Sequence, residues 1–124
     1  MWTLRVKRTF AAAHSLPYYD GPCRRLHGHT WFVEVFIRVA ELRTEGRCAG
    51  MACDFADVKR DIETVLDELD HHNVNDVISN PTAENIASWI YGRVRASYPD
   101  VEKVVVWEGP DAGVEYFEGK AGTA

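Results

Sequence analysis

Long apolar runs are missing from this sequence. The longest strongly apolar stretch, Trp31 to Ala40, is broken by Glu34 and Arg38, and nothing approaches the ~20 apolar residues a membrane-spanning helix needs. Basic charge is not in excess either: 14 Lys and Arg against 19 Asp and Glu leave a net charge of −5. A general role on nucleic acid or anionic membranes is therefore not expected. Cysteine is scarce and odd in number, at three. Arg5, Lys7 and Arg8 are followed only by Phe10–Ala13 as an apolar segment, too short for a secretory leader. Together these features predict reduced thiols and a cytoplasmic location. Repeats and low-complexity tracts are absent. With 46% apolar and 27% charged residues among 124, the chain is neither disordered, collagen-like nor a coiled coil. One domain is expected over residues 1–118, with residues 119–124 as a frayed tail.

The hydrophobic pattern, by contrast, is well marked. Trp2, Leu4, Val6 and Phe10 hold even positions, with Thr3, Arg5, Lys7 and Thr9 between them. This alternation predicts a strand with one buried face. A second strand is predicted from about Thr30 to Ala40, carrying Trp31, Val33, Val35, Ile37 and Val39 on one face. Pro17, Asp20, Gly21 and Pro22 supply turn chemistry between the two. Val58, Ile62, Val65, Leu66 and Leu69 recur at three- and four-residue steps, a helix with Asp54 as N-cap. A second helix opens at Asn80-Pro81-Thr82, carries Ile86, Ile90 and Val94, and stops near Pro99, which disfavours helical backbone at Tyr98. Val104–Trp107 and Val114–Phe117 are predicted strands around the Gly109–Gly113 turn. The order β-β-α-α-β-β predicts an α+β fold, a four-stranded antiparallel sheet with two helices on one face.

Histidine numbers only five, but four of the five fall in two tight clusters. If Ala11–Ala13 continue the first strand, His14 stays on the face of Val6 and Phe10. His27 and His29 precede the second strand with the parity of Trp31 and Val33. In an antiparallel pair the end of the first strand lies beside the start of the second, and both apolar faces must be the core face. The three imidazoles then converge at one end of the sheet, a donor set suited to zinc. Gly28 fits between two ligands if the backbone must approach the metal or bend. Cys23 leaves two arrangements open: a closed site with the thiol as fourth ligand, or an open site with the thiol beside it.

Other residues carry candidate chemistry. Arg24 and Arg25 flank Cys23, and positive charge, from them and from a nearby zinc ion, favours a thiolate able to act as base or nucleophile. Cys48 and Cys53 read as ordinary thiols. Asp70-His71-His72 is expected to close the first helix, either as a cap-like end favoured by the helix dipole or with Asp70 orienting an imidazole that relays protons. Glu108 ends the third strand, where its carboxylate is either solvated or turned into a pocket to accept paired N–H bonds from a flat heterocycle. Glu84 suits the dipole or cap of the second helix.

Phe10-Ala-Ala-Ala-His14, Cys23-Arg-Arg-Leu-His27-Gly-His29, Asp54-Phe55, Leu69-Asp-His-His-Asn-Val-Asn-Asp76, Pro81-Thr-Ala-Glu-Asn85 and Val106-Trp-Glu108 resemble the 6-pyruvoyl-tetrahydropterin synthase family. The spacing of Cys23 to the His-Gly-His element is similar to its 6-carboxy-tetrahydropterin synthase branch, of queuosine and 7-deazapurine biosynthesis. The resemblance implies a tunnelling fold, several copies of which close into a barrel with active sites at subunit boundaries. It implies His14, His27 and His29 as zinc ligands and Cys23 as catalytic thiol. Asp70 and His71 would form a proton relay supplied by the adjacent subunit, and Glu108 would anchor the pterin ring. His72 matches no ligand position. The implied reaction is zinc-dependent conversion of 7,8-dihydroneopterin triphosphate to 6-carboxy-5,6,7,8-tetrahydropterin, acetaldehyde and triphosphate. Alternatives are a sister enzyme that makes the pyruvoyl product or only cleaves the side chain, and a non-catalytic zinc-stabilised assembly module. Gly109 departs from the threonine that often follows the glutamate in that family.

Overall fold

A computed structural model of the chain describes residues 1–119, so nearly all of the expected frayed tail lies outside the described residues. The strands are β1 (Trp2–His14), β2 (His27–Val39), β3 (Val101–Trp107) and β4 (Gly113–Tyr116), and the helices are α1 (Phe55–Leu66) and α2 (Ala83–Ser97). The sheet is antiparallel throughout, in the order β1-β2-β3-β4. α1 lies over β1, and α2 over β3 and β4. This is the predicted α+β arrangement. No helix among the described residues is long and apolar enough to cross a membrane.

The first hairpin runs further than its apolar alternation. β1 and β2 pair without interruption from Trp2 opposite Val39 to His14 opposite His27. Ala11–Ala13 stay extended, so the even-numbered face of β1 carries Val6, Phe10, Ala12 and His14 into the core. Trp2, placed on that face by parity, is 49% exposed because it pairs at the outer end of the hairpin, beyond the reach of the helices. β3 begins at Val101, three residues before the predicted start. The register with β2 shifts between Phe36 and Ile37, so Glu102 has no opposite partner. This bulge lets both Val101 and Val104 reach the core, which breaks the period of two. β4 ends at Tyr116, leaving Phe117 exposed.

Both helices follow their start signals. The Asp54 carboxylate accepts from Ala56 N–H at 2.8 Å, and Val58, Ile62 and Leu66 form the buried stripe of α1. Thr82 Oγ1 accepts from Asn85 N–H at 3.0 Å, and α2 ends at Ser97 just before Pro99. The expectation that Asp70-His71-His72 close the first helix is corrected. α1 ends at Leu66, and the chain turns through residues 67–72 with Leu69 fully buried and His71 at φ 58°. The outer edge of β1 captures this segment. Ala11 N–H donates to Asp70 Oδ1 at 2.8 Å, His71 N–H to Ala11 O at 2.6 Å, and Ala13 N–H to His72 O at 3.2 Å. Those bonds satisfy an open strand edge that a continuing helix would leave bare.

Trp31 is fully buried at the centre of the hairpin. It stacks on Phe10 at 5.8 Å and donates from Nε1 to Ala12 O at 3.2 Å. Replacing it with alanine removes the largest side chain in the core and leaves a cavity, so Trp31→Ala is expected to cost about 3–5 kcal/mol. Urea unfolding of the metal-free protein measures this.

Candidate active site

His14 sits directly opposite His27 across the hairpin, and His29 lies two residues further along β2, opposite Ala12. The ring centroids are 4.6, 4.8 and 5.1 Å apart. The edge of Trp31 forms the floor, 4.8 Å from His14 and 5.1 Å from His29. His14 is fully buried, the other two half-buried. Backbone carbonyls fix two of the rings: His14 Nδ1 donates to Pro81 O at 2.7 Å and His27 Nδ1 to Arg25 O at 2.6 Å. A carbonyl only accepts, so each Nδ1 carries the proton and each Nε2 keeps its lone pair. The Nε2 atoms of all three histidines are buried with no hydrogen-bond partner.

Electrostatics favour the neutral forms of His14 and His29. Burial pushes the His14 imidazole below its usual range, and the neighbouring His27 and His29 add to this, while the Pro81 carbonyl and Glu108 oppose it. Burial likewise lowers His29, against the pull of Glu108. Neutral imidazoles with free Nε2 lone pairs are the form that binds a metal. Three buried, unpartnered ring nitrogens are otherwise costly. A divalent cation fits this donor set, and nitrogen and oxygen donors in fourfold grouping suit zinc.

The fourth donor in reach is a carboxylate. One donor atom from each of His14, His27, His29 and Glu108 lies within 4.8 Å of all the others. Glu108 Oε1 is 3.1 Å from His29 Nε2. Cys23 does not belong to this group. It occupies a single helical turn, Pro22–Arg24, tied down by Leu16 N–H donating to Cys23 O at 3.0 Å. The closed His/Cys arrangement is therefore not the one adopted. The expectation for Gly28 is also corrected. It is a regular strand residue opposite Ala13, and a Cβ there would meet only Ala12 O at 3.9 Å.

Asp70 and His71 form a second constellation. Asp70 Oδ2 lies 2.9 Å from His71 Nδ1, while Oδ1 accepts from Ala11. The Ala11 N–H, and after it His71, hold the Asp70 carboxyl below the usual carboxylate range. An ionised Asp70 accepts the Nδ1 proton and leaves the lone pair on His71 Nε2. The His71 side chain is 82% exposed, stands at the outer edge of β1 and is not among the clustered donors, although it lines an open groove along β1 together with His29. His72 donates locally to Asp70 O at 2.7 Å. Cys48 and Cys53 are free, with burial raising the Cys53 thiol, and Glu84 lies in the first turn of α2.

Sequence reasoning missed the supports. Asn75 Oδ1 accepts from Ser15 N–H at 2.8 Å and its Nδ2 donates to Ser15 O at 3.0 Å. This side-chain amide imitates a strand partner and pins the residue next to His14. The Pro81 and Arg25 carbonyls were invisible because backbone groups carry no residue signature.

The sequence profile described as PTPS, 6-pyruvoyl tetrahydropterin synthase, matches residues 3–119. The chain is 36% identical over 121 residues to a 6-carboxy-5,6,7,8-tetrahydropterin synthase of Synechocystis, spanning 94% of each chain. It is 37% identical over 112 residues to a dihydroneopterin monophosphate aldolase of Pyrococcus furiosus, spanning 88% of this chain and 91% of that one. The solved structure of the Caenorhabditis elegans 6-pyruvoyl tetrahydropterin synthase aligns with a TM-score of 0.82 at 25% identity, over 95% of this chain and 96% of that one. The sheet and its two helices are thus the tunnelling fold. The chain belongs to the 6-pyruvoyl tetrahydropterin synthase family.

The lowered histidines fix the sign of a pH dependence in the metal-free protein. His14 and His29 titrate below 6.5 in the fold, against about 6.5 in the unfolded chain. Between those values the unfolded chain holds more protons, so stability is full above about 6.5 and is lost as pH falls toward the folded values. The urea midpoint of metal-free protein is expected to drop from pH 7.5 to 5.5, and a level midpoint contradicts the assignment.

Proposed function

We propose that this protein is a zinc-dependent pterin side-chain lyase. Its substrate is 7,8-dihydroneopterin triphosphate, converted with water to 6-carboxy-5,6,7,8-tetrahydropterin, acetaldehyde and triphosphate. The observation that carries the reading is the convergence of three buried, unpartnered Nε2 atoms beside Glu108. Cys23, four residues before His27, and the named Synechocystis relative support it.

His14, His27 and His29 would hold the zinc, with Pro81 and Arg25 carbonyls keeping the first two rings aimed. When bound, zinc supplies Lewis acidity toward side-chain oxygens of the substrate and acidifies the adjoining C–H and O–H groups. The Cys23 sulfur would move protons on the side chain, and Arg24 and Arg25 beside it suit a polyphosphate. His71 Nε2 would exchange protons while Asp70 holds its tautomer. Glu108 would accept paired N–H bonds from the pterin ring, without a neighbouring hydroxyl at Gly109. Because His71 stands outside β1, the relay would serve an adjacent subunit in a homo-oligomer whose sheets close into a barrel. The protein then needs no nucleic-acid or membrane partner, and its place would be the cytoplasm, in queuosine or another 7-deazapurine pathway.

A second reading rests on the Pyrococcus furiosus relative, named an aldolase, at comparable identity. It predicts side-chain cleavage without release of triphosphate. Mass analysis of products from zinc-replete protein and the triphosphate separates the two readings: acetaldehyde with triphosphate supports the first, and glycolaldehyde triphosphate or its hydrolysis products the second. A pyruvoyl product would overturn both. Cys23→Ala is expected to lower kcat at least ~100-fold with zinc content unchanged. Zinc lost from Cys23→Ala would instead favour the closed assembly module.

The shared site yields a further expectation. Cys23→Ala and His71→Ala proteins, each inactive alone, should regain activity when unfolded together and refolded as mixed oligomers. No recovery in mixed oligomers would place the thiol and the relay in one subunit.

A further inference from the structure

We infer that Tyr19 and Gly21 form a clasp that sets the place of the Cys23 sulfur, which makes both of them positioning residues of the reaction. This rests on the reading of Cys23 as the group that moves protons on the substrate side chain, and adds the device that aims it.

Cys23 lies where the fold gives little support. No residue from Ser15 to Leu26 is fully buried, so the connection has no apolar anchor of its own. Cys23 is the middle residue of a single helical turn, Pro22–Arg24, and one turn of helix does not hold itself in water. A short circuit of bonds holds it instead. Leu16 N–H donates to Cys23 O at 3.0 Å, and Tyr19 N–H donates to Leu16 O at 3.1 Å. Arg24 N–H donates to Gly21 O at 3.1 Å, so Gly21 is the foot of the turn that carries the thiol. Leu16 thus ties both Tyr19 and Cys23, and only a link between Tyr19 and Gly21 is needed to close the circuit.

The tyrosine ring is that link. A Cβ on Gly21 would stand 2.4 Å from Cε1 of Tyr19, 3.0 Å from Cζ and 3.2 Å from Cδ1. The ring edge therefore occupies the space that any other residue at position 21 needs for its side chain. The requirement is steric rather than conformational, because φ −178° at Gly21 is extended backbone. Tyr18 is 85% exposed, whereas Tyr19 is 51% exposed and leaves Gly21 half-buried. Two adjacent tyrosines have opposite fates, and only the second closes the circuit. A shift of about 1 Å at a reacting group can cost about 10²-fold in rate. A surface contact of small weight in the stability of the fold therefore has large weight in the chemistry.

The test follows consumption of 7,8-dihydroneopterin triphosphate by zinc-replete wild type and variants. Tyr19→Ala and Gly21→Ala are each expected to lower kcat at least ~10-fold, with KM, zinc content and thermal midpoint unchanged. The double variant should lose no more than the worse single one, since both break the same contact. Ring carbons make that contact, so Tyr19→Phe should keep the wild-type kcat, and so should Tyr18→Ala. Alkylation by iodoacetamide, scored by peptide mass, should quicken at Cys23 in Tyr19→Ala and Gly21→Ala and stay level at Cys48 and Cys53. Wild-type kcat and Cys23 alkylation in both single variants, with Cys23→Ala impaired, would overturn the clasp and leave the role of the thiol standing. Losses that multiply in the double variant, or a loss in Tyr19→Phe or Tyr18→Ala equal to that in Tyr19→Ala, would overturn it as well. A fully active Cys23→Ala protein would overturn the reading of the thiol itself.

Discussion

The whole site hangs on the register of β1 against β2. His14 must face the core, and it must stand opposite His27 rather than merely near it. A slip of one residue would send His14 to the outer face of the sheet. A slip of two would restore the face but carry the ring about 7 Å along the strand, beyond any ion shared with His27 and His29. The lock is a set of cross-strand apolar partners: Phe10 on Trp31, Val6 on Val35 and Leu4 on Ile37. Sheet stability and metal-site geometry are therefore one property, and the tryptophan that seals the core is also the floor beneath two of the imidazoles.

Burying three imidazoles on an apolar floor is tolerable only while they are neutral and each ring's polar atoms have somewhere to go. Carbonyls from outside the hairpin, Pro81 at the entrance to α2 and Arg25 just before β2, take up two of the protonated nitrogens. Two of the unsatisfied Nε2 atoms are thereby lone pairs, and the third, on His29, converges with them on one point, an arrangement suited to a cation. A different economy governs Asp70 and His71. There the strand edge supplies the N–H that keeps the carboxylate ionised, and the turn after α1 is held at a positive φ to meet it. One device looks inward from the sheet face and the other outward from the sheet edge.

How far the residues foretold this depends on what signal each part carries. Parity alone placed His14, His27 and His29 on one face, because a strand's period of two is independent of its length. The ends of α1 and β3 depart from the local pattern for the opposite reason, since they are decided by partners distant in sequence. Ala11 and Ala13 hold residues 70–72 out of helix, and the bulge at Glu102 lets Val101 re-enter the core. Asn75 braces the residue after His14 yet carries no sequence signal, because an amide that imitates a strand partner looks like any polar loop residue until the strand lies beside it. Glu108 among the donors was equally hidden, since only the third strand's register against the second brings it to His29.

The division between sheet and loop bears on why relatives of similar identity carry different reaction names. The candidate metal donors rise from paired strands and a braced turn, where a displacement would cost core packing. Cys23 instead sits in an exposed connection, residues 15–26, held by bonds such as Leu16 to Cys23 and Tyr19 to Leu16. A substitution there shifts the thiol without disturbing the hairpin, whereas one in Phe10 or Trp31 disturbs everything. On the proposed reading, binding a pterin beside the metal belongs to the rigid part. Which bond of its side chain breaks then belongs to the loop that sets the thiol's reach and to the residue after Glu108. Those positions can change at little cost to the fold, so reaction choice can diverge among chains that keep the same sheet.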